Sequence, residues 1–274
     1  MPRRFRIGVV SSGMRPSRIV DQRILGGRVA PDHRPALIAG MSAPPPPESP
    51  AVEEGAAPLV GAALALGLVI AALAMALFVW LGEEMLEGET RAVDLWVRTW
   101  IHGHAVPGLT TVMVAASRWG APRVLALFGV VASVVFLARA WRRAALLVLI
   151  IMAGAGILDV VLKQLYGRTR PLPLFEFYPS PRSYSFPSGH ALFATCFFGG
   201  VAVLASHRAR RPAARVAIWV AAFLAVALIG ISRIYLGVHY PSDVLGGLAA
   251  GAVWVSTVAL GDRLAEHRRR RRTR

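Results

Sequence analysis

Long apolar runs are the feature that most constrains the fold of this chain. Six such runs follow residue 57, and each is close to the ~17–25 residues that cross the hydrocarbon core of a bilayer. We predict α-helices, because a lone strand cannot satisfy its backbone in lipid. The second run can be extended backwards through Leu109–Ser117. The runs are Leu59–Leu81, Pro122–Leu137, Ala144–Leu165, His190–Ser206, Ala213–Ile231 and Asp243–Leu260. The predicted fold class is therefore all-α, a six-helix polytopic membrane bundle.

Basic residues orient the predicted bundle. The chain has 31 Lys+Arg against 15 Asp+Glu, and the arginines cluster after the second, fourth and sixth runs. By the positive-inside rule these segments and both termini are cytoplasmic, so the outer loops are 82–121, 166–189 and 232–242. Basic residues that flank apolar runs form no compact basic domain, so no nucleic-acid partner is expected. The arginine-rich, cysteine-poor composition suggests a bacterial inner (cytoplasmic) membrane protein.

The chain outside the apolar runs divides into three parts. Residues 1–57 are Arg- and Pro-rich and are predicted to be a disordered cytoplasmic tail. Met41 opens a stretch that resembles a natural start, so we interpret residues 1–40 as an over-long gene start. The membrane domain is predicted at 58–261, and 262–274 is predicted to be a basic cytoplasmic tail. In the first outer loop, the segment from Val93 to Ile101 is either a helix along the membrane interface or an irregular loop anchored by two tryptophans.

Cations lie in the outer loops or at their edges, against the topology rule, which indicates an anionic ligand. They are Lys163, Arg168, Arg170, Arg182 and Arg233. Lys163 ends the third run and Arg170-Pro171 follows it, a pairing that suits a phosphate clamp of point charge and planar fork. Two snorkelling side chains are the alternative. Asp159 lies one helical turn before Lys163 and is its expected partner.

A second motif opens the fourth run with Pro187, Ser188, Gly189 and His190. Ser188 is a suitable N-cap, and Gly189 lets a ligand approach the backbone closely. The free N–H groups of a first helical turn attract phosphate. The alternative is a capped helix start with an incidental histidine.

The third motif lies between the fifth and sixth runs and carries Arg233, His239 and Asp243. A carboxylate four residues from an imidazole can bind one ring nitrogen and leave the other free as a nucleophile. A helix-start acid and an interfacial histidine are the alternatives. The three motifs fall on the same predicted side of the membrane, which favours one shared site.

Taken in order, the motifs resemble the three-part signature of the type 2 phosphatidic acid phosphatase (PAP2) superfamily. All eleven specified positions are present with the right spacing: Lys163-x6-Arg170-Pro171, Pro187-Ser188-Gly189-His190 and Ser232-Arg233-x5-His239-x3-Asp243. The resemblance covers about residues 59–261. It implies a membrane lipid phosphatase with its active site at the outer membrane-facing loops.

The resemblance also implies a mechanism without metal or cofactor. His239 attacks phosphorus and forms a phosphohistidine, Asp243 orients His239, and His190 serves as acid and then as base. The phosphate ligands are Lys163, Arg170, Ser188, Gly189 and Arg233. The expected partners are the bilayer and a lipid substrate: phosphatidic acid, phosphatidylglycerol phosphate or undecaprenyl diphosphate. A transporter and a catalytically silent lipid-phosphate-binding protein are the alternatives.

Overall fold

The structure is a computed structural model that describes residues 56–179 and 181–272. The predicted tail at 1–57 and the proposed over-long start at 1–40 lie outside this range, apart from Ala56 and Ala57, which begin the first helix. Every regular element in these two ranges is helical. The helices are α1 Ala56–Glu87, α2 Arg91–Gly103, α3 Pro107–Trp119, α4 Pro122–Ala138, α5 Arg142–Tyr166, α6 Gly189–Ala194, α7 Gly200–Ser206, α8 Pro212–Tyr235 and α9 Pro241–Arg272. A π-helical turn, Thr195–Gly199, joins α6 to α7.

Five segments are long and apolar enough to cross a membrane. They confirm five of the six predicted runs. They are Ala65–Glu87, Arg142–Tyr166, Gly189–Ser206, Pro212–Tyr235 and Pro241–Arg269. The remaining run is a pair of helices, α3 and α4, bent by 55° relative to each other. The chain is thus a multi-pass membrane protein with up to six spans.

The bend between α3 and α4 has a local cause. Ala121 is extended, with ψ of 138°, because the following Pro122 disfavours the helical conformation before it. Gly120 ends α3 where the chain approaches α8 closely, since a Cβ there would lie 2.5 Å from Ile229. The predicted backward extension through Leu109–Ser117 is therefore helical but does not continue α4 in a straight line.

Two predicted boundaries differ from the structure. The outer loop at 82–121 contains α2 and α3, and Val93–Ile101 lies inside α2, so the helical interpretation of that segment is confirmed. The last helix does not end near Leu260 but continues to Arg272. Polar residues extend it because they make ion pairs with the neighbouring α5, as Asp262 does with Arg143 at 2.7 Å.

The basic segments meet at one end of the bundle. Arg143 at the start of α5 binds Asp262 on α9, and the guanidinium of Arg208 lies 3.8 Å from the ring centroid of Trp141. The ends of α5 and α8 and the starts of α6 and α9 lie at the other end. The three motifs are therefore gathered at the end opposite Arg143 and Arg208.

Close helix packing brings two of the motifs together. A Cβ at Gly247 of α9 would lie 2.5 Å from the carbonyl oxygen of Ser188, and one at Gly251 would lie 2.7 Å from Thr195. The Ser188 N–H donates to the carbonyl oxygen of Asp243 at 2.8 Å. The small residues of α9 thus let the start of α6 lie directly against the start of α9.

Candidate active site

His239 and Asp243 form a buried pair at the turn between α8 and α9. His239 is 1% exposed and Asp243 is fully buried. The His239 Nδ1 lies 3.3 Å from the Asp243 Oδ2. α9 begins at Pro241, a residue type suited to the first helical position, so His239 precedes the helix and contacts a carboxylate in its first turn.

Arg170 fixes the tautomer of His239. Its Nη1 donates to the His239 Nε2 at 2.8 Å, and a guanidinium has no acceptor, so Nε2 is unprotonated and Nδ1 carries the hydrogen toward Asp243. Burial lowers the pKa of His239 to about 3, an effect that the Asp243 hydrogen bond only partly opposes. The imidazole is therefore neutral at physiological pH, and the lone pair of Nε2 accepts the hydrogen bond from Arg170.

The guanidinium of Arg170 is held by backbone carbonyls. It donates to the carbonyl oxygens of Ser183 at 2.6 Å, Tyr184 at 3.1 Å and Val238 at 2.9 Å. Burial, assisted by the charge of Arg233, lowers its pKa to about 10. Arg170 therefore remains a cation beside the nitrogen of His239.

Arg233 is the most deeply buried cation of the predicted site, at 2% exposed. Its Nη1 donates to the Tyr178 hydroxyl at 2.8 Å and to the Ser117 hydroxyl. Tyr178 and Ser117 also bind each other at 2.8 Å. The Nε of Arg233 is buried without a hydrogen-bond partner among the described residues. Neither Ser117 nor Tyr178 was predicted, because both come from segments outside the three motifs.

His190 lies in the first turn of α6, as predicted. Its ring is hydrogen-bonded to the backbone of Ser117, and it interacts electrostatically with Arg233, His239 and Lys163. One imidazole is thus close to residues of all three motifs. Ser117 of α3 thus contacts both residues: its backbone binds His190 and its hydroxyl binds Arg233.

Lys163 and Asp159 form the predicted pair, with Nζ 2.6 Å from Oδ1. Both lie against Gly189, where a Cβ would be 2.5 Å from the Asp159 Oδ1 and 3.0 Å from the Lys163 Nζ. Ser188 is at the N-cap position of α6, but its hydroxyl makes no capping hydrogen bond. The predicted N-cap position is therefore confirmed, and the buried Oγ has no partner in the described part of the chain.

Comparisons with known proteins agree with this geometry. The sequence model of the PAP2 superfamily matches residues 144–263. Phosphatidylglycerophosphatase B of Bacillus subtilis is 35% identical over 150 residues, which cover 53% of this chain and 71% of that protein. The chain belongs to the PAP2 superfamily. An undecaprenyl-diphosphatase of Sulfolobus acidocaldarius is 27% identical over 164 residues, covering 58% of this chain and 73% of the relative.

A solved PAP2 structure has the same fold. The crystal structure of the transmembrane PAP2 type phosphatidylglycerolphosphate phosphatase from Bacillus subtilis superposes with a TM-score of 0.60 at 26% identity. The match covers 70% of this chain and 95% of that one. Among the described residues of this PAP2 protein, no group of three or more His, Cys, Asp and Glu side chains could hold a metal ion.

Two charged residues near Asp243 were not among the predicted site residues. Arg168 lies 2.6 Å from the Asp243 Oδ1 and 2.8 Å from the Asp94 Oδ2. The only signal for Arg168 was its position in an outer loop, against the topology rule. Asp94 gave no signal, because it lies 74 residues before Arg168 in the chain.

A cavity of about 420 Å³ borders the site beside Lys163. It lies between the end of α5 and the segment that holds Arg170. Its polar lining consists of Asp159, Lys163, Gln164, Arg182, Ser183 and Tyr184. This position suits a polar group attached to a phosphate at the site.

Proposed function

We propose that this PAP2 membrane phosphatase hydrolyses a lipid phosphate through a covalent intermediate on His239. The observation that carries the proposal is the environment of its Nε2. That nitrogen is unprotonated, faces the Arg170 guanidinium at 2.8 Å, and belongs to an imidazole backed by Asp243. A neutral imidazole beside a cation is suited to attack a phosphate that the cation binds.

The chemistry balances with two histidines. The Nε2 of His239 forms a bond to phosphorus while the bond to the lipid oxygen breaks, and that oxygen takes a proton from His190. The neutral His190 then removes a proton from water, whose oxygen attacks the phosphohistidine and releases inorganic phosphate and free His239. Asp243 stabilises the imidazolium character that develops on His239. Acid and base assistance of this kind contributes typically ~10²–10⁴-fold.

In this proposal, donors from all three motifs bind the phosphate oxygens. We assign this role to Lys163, Arg170 and Arg233, with the Ser188 hydroxyl and the Gly189 N–H at the start of α6. The Oγ of Ser188 and the Nε of Arg233 support the assignment, since both are buried without a partner in the described segments. A bound phosphate would satisfy them, and phosphoryl transfer depends chiefly on such positioning and charge stabilisation.

The arginine-rich end of the bundle is the cytoplasmic end in this proposal, with both termini on that side and the site at the outer face of a bacterial inner membrane. The location of Arg143 and Arg208 at the end opposite His239 supports this orientation. We retain 58–261 as the phosphatase domain and 1–57 as a cytoplasmic tail up to the start of α1. The basic segment 262–274 is proposed to be cytoplasmic, and it continues α9 as far as Arg272.

The outward side of α2 also supports a lipid substrate. That helix buries Asp94 and Arg98 toward the protein and exposes Trp96 and Trp100, the reverse of a helix on a soluble protein. An outward apolar face beside membrane spans is suited to the headgroup boundary of the bilayer. A lipid can then present its phosphate to His239 while its chains stay in the membrane.

The substrate is proposed from the same three classes that the sequence suggested. Phosphatidic acid, phosphatidylglycerol phosphate and undecaprenyl diphosphate each carry an exposed phosphate on an apolar anchor, and the relatives named above act on two of these classes by their names. The polar cavity beside Lys163 has room for a headgroup or a second phosphate.

The test is phosphate release by the purified full-length protein from each of the three lipids in detergent micelles. We expect release from at least one lipid, no loss with EDTA, and inhibition by orthovanadate. His239→Ala is the matched inactive control. Lipid binding without release by the wild type would identify a silent lipid-binding protein, and loss of activity with EDTA would identify a metal-dependent phosphatase.

A further inference from the structure

A buried carboxylate on α2 lies behind the proposed catalytic pair. Asp94 is 2% exposed, and a buried charge is costly unless it is fully paired. Its Oδ1 accepts the N–H of Ser242 at 2.9 Å, and its Oδ2 accepts the Ser242 hydroxyl at 2.6 Å. Asp94 therefore caps the first turn of α9 from another helix.

Arg168 connects this carboxylate to Asp243. Its Nη2 donates to the Asp94 Oδ2 at 2.8 Å, and its Nη1 donates to the Asp243 Oδ1 at 2.6 Å and to the Ser242 hydroxyl at 2.8 Å. The planar fork of an arginine can bridge two carboxylates from two helices, which a lysine ammonium cannot do with the same geometry.

The bridge determines which oxygen of Asp243 faces the imidazole. Oδ1 is bound by Arg168, so Oδ2 is left for the His239 Nδ1, and the Tyr240 N–H donates to the same Oδ2 at 2.8 Å. The Ser185 hydroxyl also donates to Oδ2. With donors on both oxygens, the carboxylate has one orientation, and that orientation holds the histidine ring.

We propose that Asp94 and Arg168 are positioning residues for phosphoryl transfer, which hold Asp243 and through it the imidazole of His239 in the reactive orientation. Neither has a hydrogen bond to His239, so both act through Asp243. The inference rests on the proposed role of His239 as nucleophile. It adds to the site a residue of α2, outside the segment that the superfamily model matches.

The competing explanation is that Asp94 and Arg168 only anchor α2. The two explanations predict different effects of substitution on kcat. An anchor contributes to stability alone, so its removal lowers the unfolding temperature and leaves kcat of the folded fraction unchanged. A positioning residue lowers kcat of the folded enzyme, because small errors in the orientation of a reacting group are costly in rate. KM changes little, since neither residue binds the phosphate.

The experiment uses full-length Asp94→Asn, Arg168→Gln and the double variant, with kcat and KM measured on short-chain phosphatidic acid or whichever lipid the wild type hydrolyses. We expect each single variant to lower kcat about 10- to 100-fold with KM within about threefold. The kcat of the double variant should be no lower than that of the slower single variant, because both substitutions break the same connection from Asp94 through Arg168 to Asp243. Arg168→Lys should resemble Arg168→Gln.

The chain offers a matched control at its other end. Arg143 and Asp262 also join two helices, at 2.7 Å, far from His239. Arg143→Gln and Asp262→Asn should leave kcat unchanged. Thermal unfolding of each variant identifies misfolded protein, and the isosteric Asp94→Asn carries the test if Arg168→Gln does not fold.

A wild-type kcat in folded Asp94→Asn would overturn the inference. So would a fold loss of kcat in the double variant that equals the product of the two single losses. Absence of phosphate release by the wild type would instead overturn the proposed function. The two failures are therefore distinguishable in one set of measurements.

Discussion

The Nη1 of Arg170 donates to the Nε2 of His239 at 2.8 Å. This contact joins a proposed phosphate ligand to the atom proposed to attack phosphorus. It also shows that Nε2 is unprotonated, since the guanidinium can only donate. The fold thus places the proposed nucleophile beside its proposed electrostatic partner.

Arg170→Lys should lower kcat/KM about 100-fold on the lipid substrate. The guanidinium spans His239 and the carbonyl oxygens of Ser183 and Tyr184, and an ammonium cannot keep all three contacts. The measurement is steady-state phosphate release. Arg118→Lys, at an exposed arginine of α3, is the control and should equal wild type. Wild-type kcat/KM in Arg170→Lys would contradict the role of Arg170 as a phosphate ligand.

The two histidines should differ with an activated substrate. p-Nitrophenyl phosphate has a leaving group that needs no protonation, so His190→Ala should still form the phosphoenzyme but hydrolyse it slowly. We expect ³²P to accumulate on His190→Ala, from a substrate labelled in its phosphate, as an acid-labile adduct. His239→Ala should carry no label and show no turnover. Labelling of His239→Ala would show that another residue is the nucleophile.

The stability of the protein should fall on acidification through the buried His239. Its pKa is lowered by burial to about 3 in the folded protein, against about 6.5 in an unfolded chain. Between these values the unfolded state binds the extra proton, so stability is present above pH 6.5 and is lost as pH falls toward 3. The slope has a limit of about 1.4 kcal/mol per pH unit.

Unfolding midpoints of wild type and His239→Gln in detergent, from pH 8 to pH 4.5, test this dependence. We expect wild type to lose more stability than His239→Gln over that interval, because glutamine does not titrate. Equal losses would mean that the imidazole titrates in the folded protein with the same pKa as in the unfolded chain. A smaller loss in wild type than in His239→Gln would mean that the folded protein raises this pKa, and that result would contradict the assignment of His239 as a neutral nucleophile.

Gly247→Ala should destabilise the fold and lower activity together. The new Cβ would lie 2.5 Å from the carbonyl oxygen of Ser188, so α6 and α9 must separate at the site. We expect a loss of about 1–3 kcal/mol, measured as a lower unfolding midpoint. Gly261→Ala is the control on the same helix, since nothing lies within 4 Å of its Cβ position. Equal behaviour of the two variants would contradict the close packing of α6 on α9.

Trp96→Ser with Trp100→Ser should weaken activity on lipid in vesicles but not on p-nitrophenyl phosphate. Trp96 is 66% and Trp100 56% exposed on the outward face of α2, where indole rings favour the membrane interface. We expect a higher apparent KM for vesicle substrate, measured as phosphate release against lipid mole fraction. A parallel loss on the soluble substrate would show instead that the tryptophans support the fold of the site.

Much of this protein could be predicted from short stretches of sequence. The span around Lys163, the helix start at His190 and the turn carrying His239 are each local patterns, and each lies where it was predicted. The pairs Asp159–Lys163 and His239–Asp243 also follow from a spacing of four residues. Such contacts are local, so the sequence order alone brings the partners together.

The contacts of Arg233 show where local patterns are insufficient. Its Nη1 donates to the hydroxyls of Ser117 and Tyr178. Ser117 belongs to α3, which the bend at Gly120 turns toward the site, and Tyr178 belongs to the segment between α5 and α6. The sequence suggested that α3 extends α4. Pro122 marks a break between them, but the 55° angle between the two helices is a property of their packing. The π-helical turn after α6 was likewise not predicted, because its apolar residues suit an α-helix equally well.

The sequence by itself determined the membrane spans, the three motifs and their common end of the bundle, because hydropathy and motif spacing are properties of neighbouring residues. Only the tertiary structure decided that Arg168 joins Asp94 to Asp243 and that Arg170 faces the lone pair of His239. These contacts cross 74, 75 and 69 positions of the chain. Their existence depends on which helix faces bury charge against each other, and that is fixed by packing of the whole bundle.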